Sequence, residues 1–249
     1  MKSLLVALSL VTMATPAVAQ TEDAKAKAAR EAEDRLHTDW AWLGRYQQAN
    51  AAVPAKGAQP RVVFIGDSIT QGWFDMVPAF FADNNRFGRG IGGQTTPQMV
   101  LRFRQDVIDL KPAVVQIMAG TNDIAGNTGP MTPDQSKANI MTMAELARAH
   151  GIRVILASIP PAANFPWRPG LETADKIAAM NAWLKTYAAQ TNSTYADYWT
   201  ALHDGKALRA SLTYDGVHPN KAGYAVMGPG AEAAIRSALA KPAPKAIAR

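Results

Sequence analysis

Two short stretches of this chain hold residue types that could together activate a hydroxyl group. In Gly66-Asp67-Ser68, Ser68 follows the β-branched and aromatic run Val62-Val63-Phe64-Ile65, which reads as a strand buried on both faces. Gly66 and Asp67 break that run, so Ser68 is expected on a turn at the carboxyl end of a central strand. Open α/β sheets place their sites there. In Leu212–Asn220, LTYDGVHPN, Asp215 stands three residues before His218 and Pro219 directly follows. A turn of Asp-Gly-x-His can bring the carboxylate against the imidazole Nδ1, and Pro219 limits how that loop moves while starting the next helix. An acid that orients a histidine, with a serine elsewhere, is the minimum set for a hydroxyl nucleophile.

Such chemistry also needs donors for a developing oxyanion. Asn122, in Gly120-Thr121-Asn122-Asp123, follows the apolar run Ala113–Met118 (AVVQIM) and should stand on the same rim as Ser68. Ile91-Gly92-Gly93-Gln94-Thr95 follows a weaker strand, and a glycine such as Gly93 lets a backbone N–H approach a substrate closely. The other histidines offer less. His37 lies in a helical pattern, His150 closes a helix where a cation suits the dipole, and His203 sits in a polar loop.

The elements that must position these residues alternate. Strands are expected at Val62–Ile65, Arg86–Ile91, Ala113–Met118, Ile152–Ile159 and Ser193–Tyr198. Helices are expected to open at Thr96-Pro97 and Thr132-Pro133, the second closing at Gly151, with a third over Thr173–Gln190. Strands alternating with helices of this length imply parallel βαβ units and a three-layer sandwich. Upstream, Thr21–Asn50 reads as one amphipathic helix carrying Leu36, Trp40, Leu43 and Tyr46, its second half packed on the domain. Ala51–Pro60 is a linker.

The chain has 249 residues, 48% of them hydrophobic, enough for one sizeable core. Its net charge of +6 is scattered, without a basic run interleaved with aromatics, so no nucleic-acid partner is expected. The absence of cysteine excludes disulfides, a thiol nucleophile, thiolate metal ligands and a lipid-modified N-terminal cysteine. Lys2, the apolar run Leu4–Val11 and Ala17-Val18-Ala19 form an export signal with expected cleavage after Ala19. That run is shorter than the roughly 20 residues of a membrane span. The expected organisation is therefore a signal peptide at 1–19, a helix and linker at 20–60, a catalytic domain at 61–240 and a disordered basic tail at 241–249. The mature protein would be periplasmic or secreted, with no membrane span.

Taken together, these segments resemble the SGNH (GDSL-type) hydrolases. Gly66-Asp67-Ser68-Ile69-Thr70 is similar to the family's first block, Gly93 to the second-block glycine, Gly120, Asn122 and Asp123 to the third block, and Asp215 with His218 to the fifth. The resemblance covers about Arg61 to Ala240, with the blocks in family order. It implies a flavodoxin-like three-layer α/β/α sandwich with a five-stranded parallel sheet. It also implies acyl-ester hydrolysis with no cofactor and no metal, with Ser68 as nucleophile, His218 as base and Asp215 as its orienter. The oxyanion would lie between the Ser68 and Gly93 N–H groups and the Asn122 amide. One position departs from the family pattern: Gly88 stands where an asparagine is common.

The substrate implied is a small-molecule or glycan acyl ester, short-chain or acetyl. A lysophospholipase or thioesterase of longer acyl chains is the same chemistry with a longer groove. A glycan- or lipid-binding module without catalysis would have no need of all four of Ser68, Asn122, Asp215 and His218. The loop Pro160–Leu171 should lie on the same rim, with Phe165, Trp167 and Arg168 available to contact substrate. The glycines Gly88, Gly90 and Gly93 also fit a dinucleotide-binding pattern, but Gln94-Thr95-Thr96-Pro97 delays the helix that pattern requires. Thr70 breaks the Gly-x-Ser-x-Gly elbow of other α/β hydrolases.

Overall fold

A computed structural model of the chain describes residues 16–54, 60–82 and 85–247. The chain divides into two units, 1–40 and 41–249. The first contains helix α1 (Pro16–Thr38), whose range runs through the expected cleavage point; residues 1–15 of the expected export signal lie outside the described residues. The expected single helix to Asn50 is not formed. Leu36 and Trp40 are 50% and 38% exposed, and Trp42 takes a left-handed conformation at φ +52°. In the second unit a 3₁₀ turn at Leu43–Tyr46 then leads into the short helix α2 (Gln47–Ala51). Tyr46 sets this course: its ring is buried and its hydroxyl donates to the Gly90 carbonyl.

The five strands β1 (Val62–Gly66), β2 (Arg86–Gly90), β3 (Val114–Met118), β4 (Arg153–Ala157) and β5 (Thr194–Ala196) form one parallel sheet in the order β2-β1-β3-β4-β5. This is the flavodoxin-like order. Between and after them run α3 (Ser68–Met76), α4 (Pro78–Ala82), α5 (Thr96–Asp106), α6 (Thr121–Ala125), α7 (Pro133–Ala149), α8 (Ala174–Gln190), α9 (Tyr198–Leu202) and α10 (Lys221–Ala240). The central strands β1, β3 and β4 are nearly continuous in apolar residues because alternate side chains enter two different cores. Val63, Ile65, Val115, Ile117, Val154 and Leu156 pack with Met99 and Phe103 of α5, Ile140 and Met143 of α7 and Ile177 of α8. Val62, Phe64, Val114, Met118 and Ile155 pack on the other face with Trp73 of α3 and Tyr224, Met227 and Ile235 of α10.

Helix starts follow local chemistry. Thr95 with Gln98, and Thr132 with Gln135, form capping boxes ahead of Pro97 and Pro133. The last strand is shorter than expected: it ends at Ala196, because the Asp197 side chain accepts from the Thr200 N–H and opens α9. The basic tail expected to be disordered is instead held over Lys241–Ile247. Arg153 Nε donates to the Lys241 carbonyl at 2.8 Å, Lys241 Nζ to the Ser193 carbonyl at 2.8 Å, and the Ile247 N–H to the Ala149 carbonyl at 2.9 Å. These cations reach backbone oxygens left open at helix and strand ends, which composition alone does not reveal. Among the described residues, no helix is long and apolar enough to cross a membrane.

Candidate active site

The register sets the site's geometry. Gly66 pairs with Gly90 on one side and Met118 on the other, so the loops after β1, β2 and β3 leave the sheet at one level. Strand order reverses at β1 and β3, which is where such sheets open a crevice. Ser68 opens α3 two residues past Gly66, and the buried Asp67 side chain caps that helix by accepting the Ile69 N–H at 3.0 Å. Close approach of α3 to β2 explains two of the glycines in the apparent nucleotide pattern. A Cβ on Gly90 would lie 2.2 Å from the Gln71 nitrogen, and one on Gly88 would lie 2.9 Å from the Phe74 side chain. Both serve packing.

Ser68 Oγ lies 2.8 Å from His218 Nε2, and His218 Nδ1 lies 2.6 Å from Asp215 Oδ2. The other oxygen of Asp215 accepts the His218 N–H at 2.8 Å and the Val217 N–H at 3.0 Å. Burial pulls the Asp215 carboxyl upward, but these backbone donors and the imidazole together hold it below its ordinary value, so it stays ionised. Thr213 closes the loop: its hydroxyl donates to the His218 carbonyl at 2.6 Å and accepts the Gly216 N–H at 3.0 Å. A hydroxyl, an imidazole and a carboxylate in this chain can transfer the serine proton to nitrogen while the carboxylate fixes the tautomer.

Gly93 and Asn122, the expected oxyanion donors, lie on the segments after β2 and β3, whose strands end level with β1. Gly93 has φ +76°, and its N–H donates to no described residue. Asn122 is buried, with Nδ2 donating to the Gln94 carbonyl at 3.0 Å and Oδ1 accepting from Asn127 Nδ2 at 2.8 Å. Gly88, in the middle of β2, stands where the resembling family commonly has asparagine, and the loop after that strand has other supports. Gln71 Oε1 accepts the Gly92 N–H at 2.8 Å, and buried Arg102 binds Gln94 Oε1 through Nε at 2.6 Å. Asp123, next to Asn122, is buried and its carboxyl is pushed up by burial. It accepts from the Thr96 N–H and hydroxyl and from Ser136 Oγ at 3.1 Å, tying α6 to the starts of α5 and α7.

Of the three loop residues expected to contact substrate, the structure withdraws one. Phe165 is fully buried, part of the core, with its ring stacked 5.0 Å beneath Trp167, so it supports the rim instead of facing it. Trp167 is 39% exposed and its ring centroid is 6.1 Å from that of His218. Arg168 Nη2 donates to the Gly126 carbonyl at 2.9 Å and borders an open groove of about 570 Å³ with Gly129, Pro130 and Leu171. Two residues escaped the sequence reading. Tyr214, 61% exposed, stacks on His218 at 5.6 Å and 7°, and Asn127 joins Asn122 to Trp167. Tyr214 adjoins Asp215 in the chain, which was the one available signal. His150 Nδ1 lies 2.8 Å from the Leu146 carbonyl at a helix end, and His37 pairs with Glu33 on its own helix. Among the described residues, no group of His, Asp and Glu could hold a metal ion.

Asp67 yields the first test. Burial, only partly offset by the Ile69 N–H and the nearby His218, pushes its carboxyl up from 3.8 to about 6. A folded-state value above the unfolded one means the folded chain holds this proton more tightly. That stabilisation is complete below about pH 3.8 and is lost as pH rises through about 6. Asp67→Asn keeps an oxygen for the Ile69 N–H without a buried charge. It is expected to gain stability over the parent progressively between pH 4 and 6, reaching on the order of 2–3 kcal/mol above that. Urea unfolding of both proteins across this range checks it; a pH-independent difference would refute it.

The GDSL-like lipase/acylhydrolase family model matches residues 64–226. The crystal structure of a GDSL-like lipase from Bacteroides thetaiotaomicron superposes with a TM-score of 0.77 at 45% identity, covering 80% of this chain and all of that one. An uncharacterised lipoprotein of Bacillus subtilis, YqeF, is 35% identical over 117 residues, which are 40% of this chain and 48% of the lipoprotein. The esterase TesA of Pseudomonas aeruginosa is 28% identical over 176 residues, 66% of this chain and 82% of TesA. The family model spans well over half of the chain, and the chain belongs to the GDSL-like lipase/acylhydrolase family.

Proposed function

We propose that this chain is an exported serine esterase that hydrolyses short-chain acyl esters of polar, hydroxyl-rich alcohols. The observation that carries the reading is the continuous Ser68–His218–Asp215 hydrogen-bond chain at a rim that also presents Gly93 and Asn122. Ser68 Oγ attacks the acyl carbonyl and its proton passes to His218 Nε2. The tetrahedral oxyanion is held by the Ser68 and Gly93 N–H groups and by Asn122 Nδ2. His218 then returns the proton to the departing alcohol oxygen, leaving an acyl-Ser68. Water attacks that ester with His218 again as base, releasing the acid and restoring the serine. Asp215 stays ionised throughout and stabilises the imidazolium.

The exposed rings of Trp167 and Tyr214, both against His218, with Arg168 bordering an open groove, suit a leaving group with both apolar faces and hydroxyls. The export signal and the likeness to a lipoprotein support an extracytoplasmic site of action. The expected result is fastest turnover of p-nitrophenyl acetate in a series through butyrate, octanoate and palmitate. A maximum at octanoate or longer would replace this reading with a lipase or thioesterase. Mass spectrometry of the exported protein is expected to find Gln20 at its N-terminus.

A further inference from the structure

Asn127 makes a set of bonds that no other side chain of the rim makes. Its Nδ2 donates to Asn122 Oδ1 at 2.8 Å and to the Gly93 carbonyl at 3.3 Å, while its Oδ1 accepts the Trp167 indole N–H at 3.0 Å. Thus a single amide reaches both of the residues assigned above as oxyanion donors besides Ser68. Its own N–H is also fixed, donating to the Asn122 carbonyl at 3.1 Å across the left-handed turn at Gly126.

The sense of these amides follows from donor and acceptor counting. An indole N–H only donates, so Trp167 requires an oxygen from Asn127. With that oxygen committed, the Asn127 NH₂ must face Asn122 and Gly93, and both present oxygens to it. Asn122 is therefore held with Oδ1 turned to Asn127 and Nδ2 turned to the Gln94 carbonyl, leaving its second N–H for another acceptor. If Asn122 flipped, two NH₂ groups would face each other and a carbonyl oxygen would point where an oxyanion must form. A flipped amide there would repel the transition state that the N–H stabilises.

We propose that Asn127 is a positioning residue of the oxyanion hole: it fixes the amide sense of Asn122, with Trp167 fixing its own sense in turn. This rests on the assignment of Asn122 and Gly93 made above. Asn127 is itself exposed, so its replacement leaves the core intact.

The test is a double-mutant cycle on p-nitrophenyl acetate, using Asn127→Ala, Asn127→Asp and Asn122→Ala. Asn122→Ala is expected to lower kcat about 10²–10³-fold, as for loss of one oxyanion donor. Asn127→Ala should lower kcat about 10-fold with KM changed less than about 3-fold, because the oxyanion exists only in the transition state. Asn127→Asp, which sets carboxylate oxygens against two acceptors, should lower kcat further. In the Asn122→Ala background both Asn127 changes should lose most of their effect. A full Asn127 effect persisting in that background overturns the proposal, since it would act through charge or general structure. So does wild-type kcat in both Asn127 variants while Asn122→Ala is impaired. Unimpaired Asn122→Ala removes the underlying site assignment as well, which separates failure of that assignment from failure of this one.

Discussion

Ser68→Ala is expected to lower kcat for p-nitrophenyl acetate by on the order of 10⁶, equivalent to about 8 kcal/mol of transition-state stabilisation, with little change in KM. The size follows from the mechanism. Without Oγ there is no acyl-enzyme, and His218 has no serine proton to take. What survives is hydrolysis by water aided by the oxyanion donors alone, typically 10³–10⁴ over solution. The fold should not suffer: Ser68 is only partly buried and its helix is capped by Asp67, not by the serine. A fluorophosphonate probe is expected to label the parent at Ser68 and the variant not at all. Parent-like turnover in Ser68→Ala, or labelling at another residue, would overturn the serine-esterase reading. The chain would then be read as a binding module on this fold.

The second large effect is on stability. Arg102→Met is expected to destabilise the fold by about 3–5 kcal/mol, a large part of the 5–15 kcal/mol that holds a typical domain together. The Arg102 side chain is fully buried. Its guanidinium donates to Gln94 Oε1 at 2.6 Å, to the Arg89 carbonyl at 2.8 Å, to the Gly66 carbonyl at 2.9 Å and to Asp106 Oδ2 at 3.0 Å. Truncation leaves Asp106, 1% exposed, with Asn50 Nδ2 at 2.7 Å and the nearby Arg89 guanidinium as partial compensation for a buried negative charge. Because removing one partner is what costs, Arg102→Met combined with Asp106→Leu should recover much of the loss. Urea unfolding of the three proteins measures this; a double variant no more stable than Arg102→Met would reject it. Arg102 also grips Gly66, two residues before Ser68, and Gln94, one after Gly93. The single variant should therefore lose turnover below its melting temperature too.

Much of this was legible in the chain because the information is local. The alternation of buried strands with capped helices identified the doubly wound sheet, since strands covered on both faces must be apolar throughout and helix starts need side-chain acceptors. The pairing of Asp215 with His218 was legible for the same reason. They are three residues apart, and Asp215 Oδ1 closes the turn by accepting the His218 N–H. The N-terminal helix misled because Leu36, Trp40, Leu43 and Tyr46 keep helical spacing, yet α1 ends at Thr38, and in the second unit Tyr46 is instead held in a 3₁₀ turn, buried against Gly90.

By itself, then, the sequence determined the order of elements, the two-faced sheet, the turn that carries Ser68 and the acid beside His218. Each depends on interactions within a few residues or on a repeating apolar pattern. Only the tertiary structure decided that Ser68 and His218, 150 residues apart, approach to 2.8 Å. It likewise decided that Phe165 is core while Trp167 is rim, that Tyr214 stacks on the imidazole, and that Asn127 faces Asn122. Those outcomes depend on which loops the parallel register brings to one level, and on which side chain of an aromatic pair the core has room to bury. No local pattern in the chain encodes either.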